Sequence, residues 1–159
     1  MKKRCFSLVE LVVVVVLLAV VAVILLLWLR SAEKRRQAQL LGCMDNLKQL
    51  QVALQMYGDD NRSYLPDGDN AAGLSTLLRL EYVKDCKLLV CPGTKDMPAN
   101  NLQAFLERGE QHCSYLYNGG LYMNDLTPQN VIVRDKAGNH RKVQQTIMGD
   151  FTVKQEKKD

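Results

Sequence analysis

With 159 residues, the chain is long enough for one modest domain and an additional segment. It is short for a two-domain enzyme. The formal net charge is +4, but the first 42 positions carry this excess with seven basic and two acidic residues, and the remaining positions have a net charge of −1. The later part of the chain therefore gives no support for a nucleic-acid-binding face.

The first feature in chain order is an uninterrupted apolar run from Leu11 to Leu29. As a helix these 19 residues reach roughly 28 Å, close to the hydrocarbon thickness of a bilayer. A removable secretory signal fits less well, because the run exceeds the usual apolar length of about 7 to 15 residues. A lipoprotein anchor does not fit, because Cys5 precedes the run. We predict a membrane-spanning helix.

Glu10 places a carboxylate at the start of this apolar run. A charged side chain costs about 2.5 to 3.5 kcal/mol at the centre of a bilayer and less near its surface. The carboxylate therefore either needs a partner of opposite charge or lies among the lipid headgroups, where it is solvated. Its position alone leaves both interpretations open.

The residues around Glu10 favour the first interpretation. Met1 to Phe6 reads M-K-K-R-C-F, and Phe6 to Leu11 reads F-S-L-V-E-L. This segment resembles the leader of type IV prepilins and of type II secretion pseudopilins, although that family usually has Gly where this chain has Cys5. The resemblance implies cleavage by prepilin peptidase between Cys5 and Phe6, methylation of the new terminus at Phe6, and a role for Glu10 in filament assembly.

The spacing between Phe6 and Glu10 has a chemical meaning of its own. Cleavage before Phe6 creates an α-ammonium group one helical turn from Glu10, since residues i and i+4 share a helix face. Between two chains, the carboxylate of Glu10 and the ammonium group of Phe6 neutralise each other in lipid. A subunit without Glu10 is therefore expected to insert normally and to join a filament poorly.

Basic residues on both sides of the apolar run leave the orientation open by the positive-inside rule. The resemblance implies that the leader is cytoplasmic and that the C-terminal domain is periplasmic, on a single-pass protein of the bacterial inner membrane. The implied partners are the membrane, prepilin peptidase, other pilin-like subunits and the inner-membrane assembly platform.

Beyond residue 29 the helix is predicted to continue as an amphipathic segment over residues 30–57. Apolar residues recur at helical intervals and define one face. These residues are Leu40, Leu41, Met44, Leu47, Leu50, Leu54 and Tyr57. The helix should end near Tyr57, because the turn-rich sequence Gly58-Asp59-Asp60-Asn61 follows.

The rest of the sequence predicts short elements. They are a helix over Leu74–Leu80, a strand over Leu88–Cys91, a helical turn over Leu102–Leu106, a strand over Tyr115–Tyr117, a hairpin of Val131–Val133 with Val143–Met148, and a frayed charged tail over Lys154–Asp159. These elements predict an α+β fold class, and the resemblance implies that it is pilin-like, with a long N-terminal membrane-spanning helix that continues into a small domain with a short antiparallel sheet. The predicted segments are leader 1–5, membrane and assembly helix 6–29, amphipathic helix 30–57, domain 58–153 and tail 154–159.

A second, weaker similarity involves the C-terminal part of the chain. Cys43 to Leu50 and Val90 to Pro92 look like segments of pseudopilin-like proteins that end in a signature of His, nine residues, and Asp-Gly. His140 and Asp150 have that spacing, and Phe151 stands in the position of the Gly.

Four cysteines remain after removal of the leader, and a periplasmic location would permit disulfides. They are Cys43, Cys86, Cys91 and Cys113, for which three connectivities remain open, with buried free thiols as the alternative. A zinc site from Cys86, Cys91, Cys113 and His112 matches no common finger spacing. Four carboxylates are compatible either with a calcium-binding site or with a solvated turn. They belong to Asp59, Asp60, Asp67 and Asp69.

No catalytic, cofactor or metal site is predicted, because the sequence has two histidines and contains no hydrolase, metalloprotease or phosphate-loop motif. The sequence predicts a structural subunit of a type IV pilus-like or type II secretion pseudopilus filament. The alternative is a single-pass, membrane-anchored periplasmic binding protein that does not polymerise.

Overall fold

The computed structural model describes residues 8–140 and 143–157. Its first element, helix α1, runs without interruption over Leu8–Asp60. The predicted continuous helix is therefore confirmed over the described residues, and it ends three residues later than expected. The chain divides into two compact units, Met1–Ala38 and Gln39–Asp159, and the division lies within α1.

The part of α1 in the second unit buries one face. Its buried residues are Cys43, Leu47, Leu50, Ala53, Leu54 and Gly58. This set confirms three predicted core positions, Leu47, Leu50 and Leu54, but Leu41 is 64% exposed and its prediction is wrong. The reason is geometric, since two residues correspond to about 200° around a helix. Leu41 thus lies nearly opposite Cys43, which begins the buried stripe.

Two short helices follow, α2 over Asn70–Arg79 and α3 over Leu102–Arg108. Both confirm predicted helices, and α2 begins four residues earlier than expected. The side chain of Asn101 caps α3 by accepting a hydrogen bond of 2.8 Å from the backbone N–H of Ala104.

The predicted strand Leu88–Cys91 is wrong, because Cys86–Leu89 forms a 3-10 helix. The Asp85 carboxylate accepts a hydrogen bond of 2.8 Å from the backbone N–H of Lys87, which favours the turn over an extended chain. Val90 is extended, but its carbonyl accepts a hydrogen bond of 2.9 Å from the Asn46 side chain. Further short 3-10 helices cover Gly109–Gln111 and Met123–Asp125.

Within residues 8–140 and 143–157, the antiparallel sheet has four strands in the order β1-β2-β3-β4. They are β1 over Tyr115–Tyr117, β2 over Val131–Asp135, β3 over Val143–Met148 and β4 over Val153–Lys157. The predicted strand and hairpin are confirmed, with a register irregularity between Val131 and Val133.

The prediction of a frayed tail is wrong for Lys154–Lys157, which lie in β4. This strand pairs with β3 from Val153 opposite Ile147 to Lys157 opposite Val143. Its residues after Val153 are exposed, and charged side chains are usual on edge strands because they discourage pairing with other chains.

The core of the second unit lies between α1, α2 and the sheet, and its largest fully buried side chains include Tyr115, Tyr117 and Phe105. The Tyr117 hydroxyl donates a hydrogen bond of 2.8 Å to the carbonyl of Pro66, so this buried phenol has a polar partner. The α+β fold class predicted from the sequence is confirmed.

Candidate functional site: the N-terminal segment and a buried cysteine–histidine cluster

Glu10 is exposed in the first turn of α1. The large apolar residues on both sides of it, from Leu8 to Leu29, are also exposed, by between 44% and 78%. Among the described residues, α1 is the helix whose length and composition suffice to cross a membrane. The predicted cleavage site between Cys5 and Phe6 lies outside the described residues.

A second group of chemically active side chains lies in the core of the second unit. Cys43 is on α1, Cys91 follows the 3-10 helix and Val90, and His140 is in the connection between β2 and β3. All three side chains are buried, and one ligand atom from each lies within 4.8 Å of the other two. We refer to Cys43, Cys91 and His140 as the cysteine–histidine cluster.

Cys91 is the centre of this cluster. Its Sγ lies 3.2 Å from His140 Nε2 and accepts a hydrogen bond of 3.4 Å from the backbone N–H of Gly93. The hydrogen bond with Cys43 lowers the pKa of the Cys91 thiol, and burial acts in the opposite direction. The same hydrogen bond, together with burial, raises the pKa of Cys43. The cluster therefore favours a thiolate at Cys91 over one at Cys43.

Cys43 also contacts two polar groups of the sheet. Its Sγ donates a hydrogen bond of 3.4 Å to Asp135 Oδ1 and lies 3.5 Å from the Tyr115 hydroxyl oxygen. Asp135 is buried, which raises the pKa of its carboxyl, and its Oδ2 accepts a hydrogen bond of 3.2 Å from the backbone N–H of Gln145. The single proton of Cys43 thus faces two acceptors, the Asp135 oxygen and the Cys91 sulfur.

Two residues next to the cluster position His140. Asn139 Nδ2 donates a hydrogen bond of 2.6 Å to the carbonyl of Ser114, which fixes the β2–β3 connection to the start of β1. Gly93 lies against the ring, since a Cβ added there would be 2.8 Å from His140 Cε1 and 3.2 Å from Nδ1. The absence of a side chain at Gly93 therefore makes room for the imidazole.

The other predicted site residues have different surroundings. His112 is partly exposed, and its Nδ1 donates a hydrogen bond of 2.7 Å to the carbonyl of Met97. Among the described residues, no disulfide joins Cys43, Cys86, Cys91 or Cys113, and the disulfide prediction for them stays a prediction. Sequence spacing did not group Cys43, Cys91 and His140, although the His-x9-Asp similarity had marked His140.

Two of the four carboxylates that suit a calcium site, Asp60 and Asp69, stabilise local structure through hydrogen bonds. Asp60 Oδ2 accepts a hydrogen bond of 2.7 Å from the Tyr82 hydroxyl, and Asp69 Oδ1 accepts one of 3.0 Å from the backbone N–H of Gly119.

The C-terminal residues Asp150 and Phe151 form a turn. Asp150 Oδ1 accepts hydrogen bonds from the backbone N–H and the hydroxyl of Thr152, which lower the pKa of Asp150. Phe151, in the Gly position of the C-terminal signature, has a φ of 55°, in the region that favours glycine.

Burial of Cys113 leads to a prediction about alkaline pH. Burial raises the pKa of its thiol to about 11 from an ordinary value of 9.0. A group that ionises less readily when folded stabilises the protein below its ordinary pKa, and this contribution is lost as the pH rises toward the folded value. The loss from Cys113 should be about 2 to 3 kcal/mol, at about 1.4 kcal/mol for each pKa unit.

Urea unfolding of the full chain in detergent, under reducing conditions and between about pH 8 and pH 11, measures this loss. We expect the free energy of unfolding of a Cys113→Ala variant to fall less steeply with pH than that of the wild type. Parallel curves for the two proteins would contradict a protonated, buried Cys113.

Comparison with known protein families gives a match at the N-terminus. Residues 1–26 match the family model for the prokaryotic N-terminal methylation motif. This match supports the resemblance to type IV pilin-like proteins and pseudopilins, and with the apolar helix it supports anchoring in a membrane. No curated protein and no solved structure matches the chain.

Proposed function

We propose that this chain is a structural subunit of a type IV pilus-like or type II secretion pseudopilus filament. The observation that carries the proposal is the methylation motif at residues 1–26, which overlaps the start of an apolar helix with a carboxylate, Glu10, in its first turn. The motif supports a pilin-like protein processed by prepilin peptidase. Proteins with this motif are structural rather than enzymatic.

Processing prepares the chain for assembly. Prepilin peptidase cuts between Cys5 and Phe6, the basic leader is removed, and methylation of Phe6 retains the positive charge of its amino group. Glu10 of an incoming subunit then pairs with the ammonium group of Phe6 on a subunit already in the filament. The two opposite charges compensate each other, so neither remains isolated in an apolar environment. The pair also fixes the register of one helix against the next.

The exposed apolar surface of α1 serves two stages of this pathway. Before assembly, the side chains from Leu8 to Leu29 face lipid, where a continuous helix satisfies the backbone hydrogen bonds. In the filament, the same surface packs against the helices of neighbouring subunits. Residues 6–29 thus form the membrane and assembly helix, residues 30–57 its amphipathic continuation, and residues 58–157, which end with β4, the rest of the small domain.

The proposed location follows from the side on which the peptidase acts. The leader is cytoplasmic, the chain crosses the bacterial inner membrane once, and the small domain is periplasmic. The partners are prepilin peptidase, an inner-membrane assembly platform and other pilin-like subunits, of the same or of a different sequence.

Intact-mass analysis of the protein extracted from membranes tests the proposal. We expect a chain that begins at a methylated Phe6 and lacks the five leader residues. The matched control is the same gene expressed in a host without prepilin peptidase, where the chain should retain Met1. A chain that still begins at Met1 in a host with the peptidase would overturn the proposal.

A further inference from the structure

We propose that the cysteine–histidine cluster is a binding site for a divalent metal ion of the zinc type. Its ligands are the thiolates of Cys43 and Cys91 and the imidazole Nε2 of His140. The site lies in the second unit of the chain, and the inference does not depend on filament assembly.

The distances in the cluster are close to those that a tetrahedral zinc ion requires. Zinc binds thiolate sulfur at about 2.3 Å and imidazole nitrogen at about 2.0 to 2.1 Å, which separates two thiolates by about 3.8 Å and a thiolate from a nitrogen by about 3.6 Å. Cys91 Sγ and His140 Nε2 are 3.2 Å apart, and all three ligand atoms lie within 4.8 Å of one another. Small side-chain movements therefore suffice to admit the ion.

The chemistry of the ligands also favours a soft or borderline cation. Thiolate and imidazole are the ligands that select zinc over calcium or magnesium, which prefer oxygen. Binding releases the thiol protons to solvent, after which the charges of the two thiolates balance the charge of the ion. A fourth ligand is available from Asp135, whose Oδ1 is 3.4 Å from Cys43 Sγ. This oxygen lies outside the group of three and would turn toward the ion.

The surroundings give the ion access and fix the ligands. A depression of about 340 Å³, lined in part by Asn46, Cys91 and Pro92, opens beside the cluster. On the inner side, the hydrogen bond of Asn139 to Ser114 holds the connection that carries His140. An ion in this place would link α1, the segment after the 3-10 helix and the β2–β3 connection, three parts of the chain that are distant in sequence.

A disulfide between Cys43 and Cys91 is the competing use of the same sulfur atoms. A disulfide would use the two sulfurs alone, whereas a metal ion uses the imidazole and both sulfurs together. The missing side chain at Gly93 also leaves space for the imidazole, which is one of the three proposed ligands. We therefore favour the ion.

Cobalt(II) and zinc titrations of the full-length protein, purified in detergent under reducing conditions, test the site. We expect one cobalt ion for each chain, with thiolate-to-cobalt charge-transfer absorption in the near ultraviolet that zinc displaces, and a higher melting temperature with zinc than with a chelator. Cys91→Ser and His140→Asn should each weaken cobalt binding by roughly tenfold or more. The matched controls, Cys86→Ser and His112→Asn, should leave it unchanged.

Gly93→Ala provides a variant that retains every proposed ligand. The added methyl group meets the His140 ring, so we expect a roughly tenfold weaker affinity for cobalt, with far-ultraviolet circular dichroism that stays at the wild-type level. Three results would overturn the site: no cobalt or zinc bound by the wild type, binding that is unaffected by Cys91→Ser and His140→Asn, or a mass spectrum of the protein isolated from membranes in which Cys43 and Cys91 are joined by a disulfide.

Discussion

A chain with Glu10→Leu should insert into the membrane at the wild-type level but enter filaments roughly tenfold to a hundredfold less. Each isolated charge in lipid costs about 2 to 3 kcal/mol, and every 1.4 kcal/mol changes an equilibrium tenfold. The substitution removes the partner of the Phe6 ammonium group of the neighbouring subunit. Glu10 is exposed among apolar side chains, so a leucine there fits the lipid without steric cost.

The measurement compares membrane-bound and filament fractions of the full-length protein in a host that assembles the filament. Glu33→Leu is the matched control, because Glu33 lies outside the apolar run on the same helix and forms an exposed ion pair of 4.0 Å with Arg36. The Glu10→Gln variant keeps the size of the side chain but removes its charge, and it should also assemble poorly. Assembly of Glu10→Leu at the wild-type level would point to the other function considered for the sequence, a membrane-anchored binding protein.

The parts of the fold that were predicted correctly from the sequence are those in which the local residue pattern and the surrounding solvent favour the same structure. An apolar run such as Leu11 to Leu29 has few alternatives to a helix in lipid, because its backbone must satisfy its own hydrogen bonds. The hairpin of β2 and β3 was predictable since apolar alternation flanks the turn around Gly138, which has a φ of 103°.

The wrong predictions arose where hydrogen bonds, and not the pattern of apolar residues, decide the structure. The strand β4 has a charged sequence, and it is a strand because β3 offers a backbone edge for pairing. The apolar residues Leu88 to Cys91 suggested a strand, but the Asp85 carboxylate closes a turn at their beginning. Neither effect has a signal in hydrophobic periodicity.

The cysteine–histidine cluster is a site that, for the same reason, could not be predicted from the local sequence. Cys43, Cys91 and His140 are separated by 48 and 49 positions, so no short ligand motif joins them. They meet because α1 packs on the segment after the 3-10 helix and because Asn139 holds the β2–β3 connection near β1. The sequence offered individual candidates, and only the tertiary fold brought a set of them together.

A chain with Gly73→Ala, a substitution on α2, should have a domain less stable by about 3 kcal/mol and a melting temperature lower by about 10 °C or more. A Cβ at this position would lie 2.5 Å from Cε1 and 2.7 Å from Cδ1 of Tyr117, and it would also collide with the Gly68 carbonyl. The Tyr117 ring has little freedom to move away, because it is buried and its hydroxyl bonds to Pro66.

Thermal unfolding of the full chain in detergent, followed by near-ultraviolet circular dichroism of the tyrosines, measures the effect. Gly42→Ala is the matched control, since it makes the same change within a helix and its Cβ would be 3.2 Å from the nearest side-chain atom, Cγ of Pro92. There the gain in helix propensity of about 1 kcal/mol offsets a mild contact, so the melting temperature should change little. Equal melting temperatures for Gly73→Ala and the wild type would mean that α2 does not pack against β1 as closely as the structure has it.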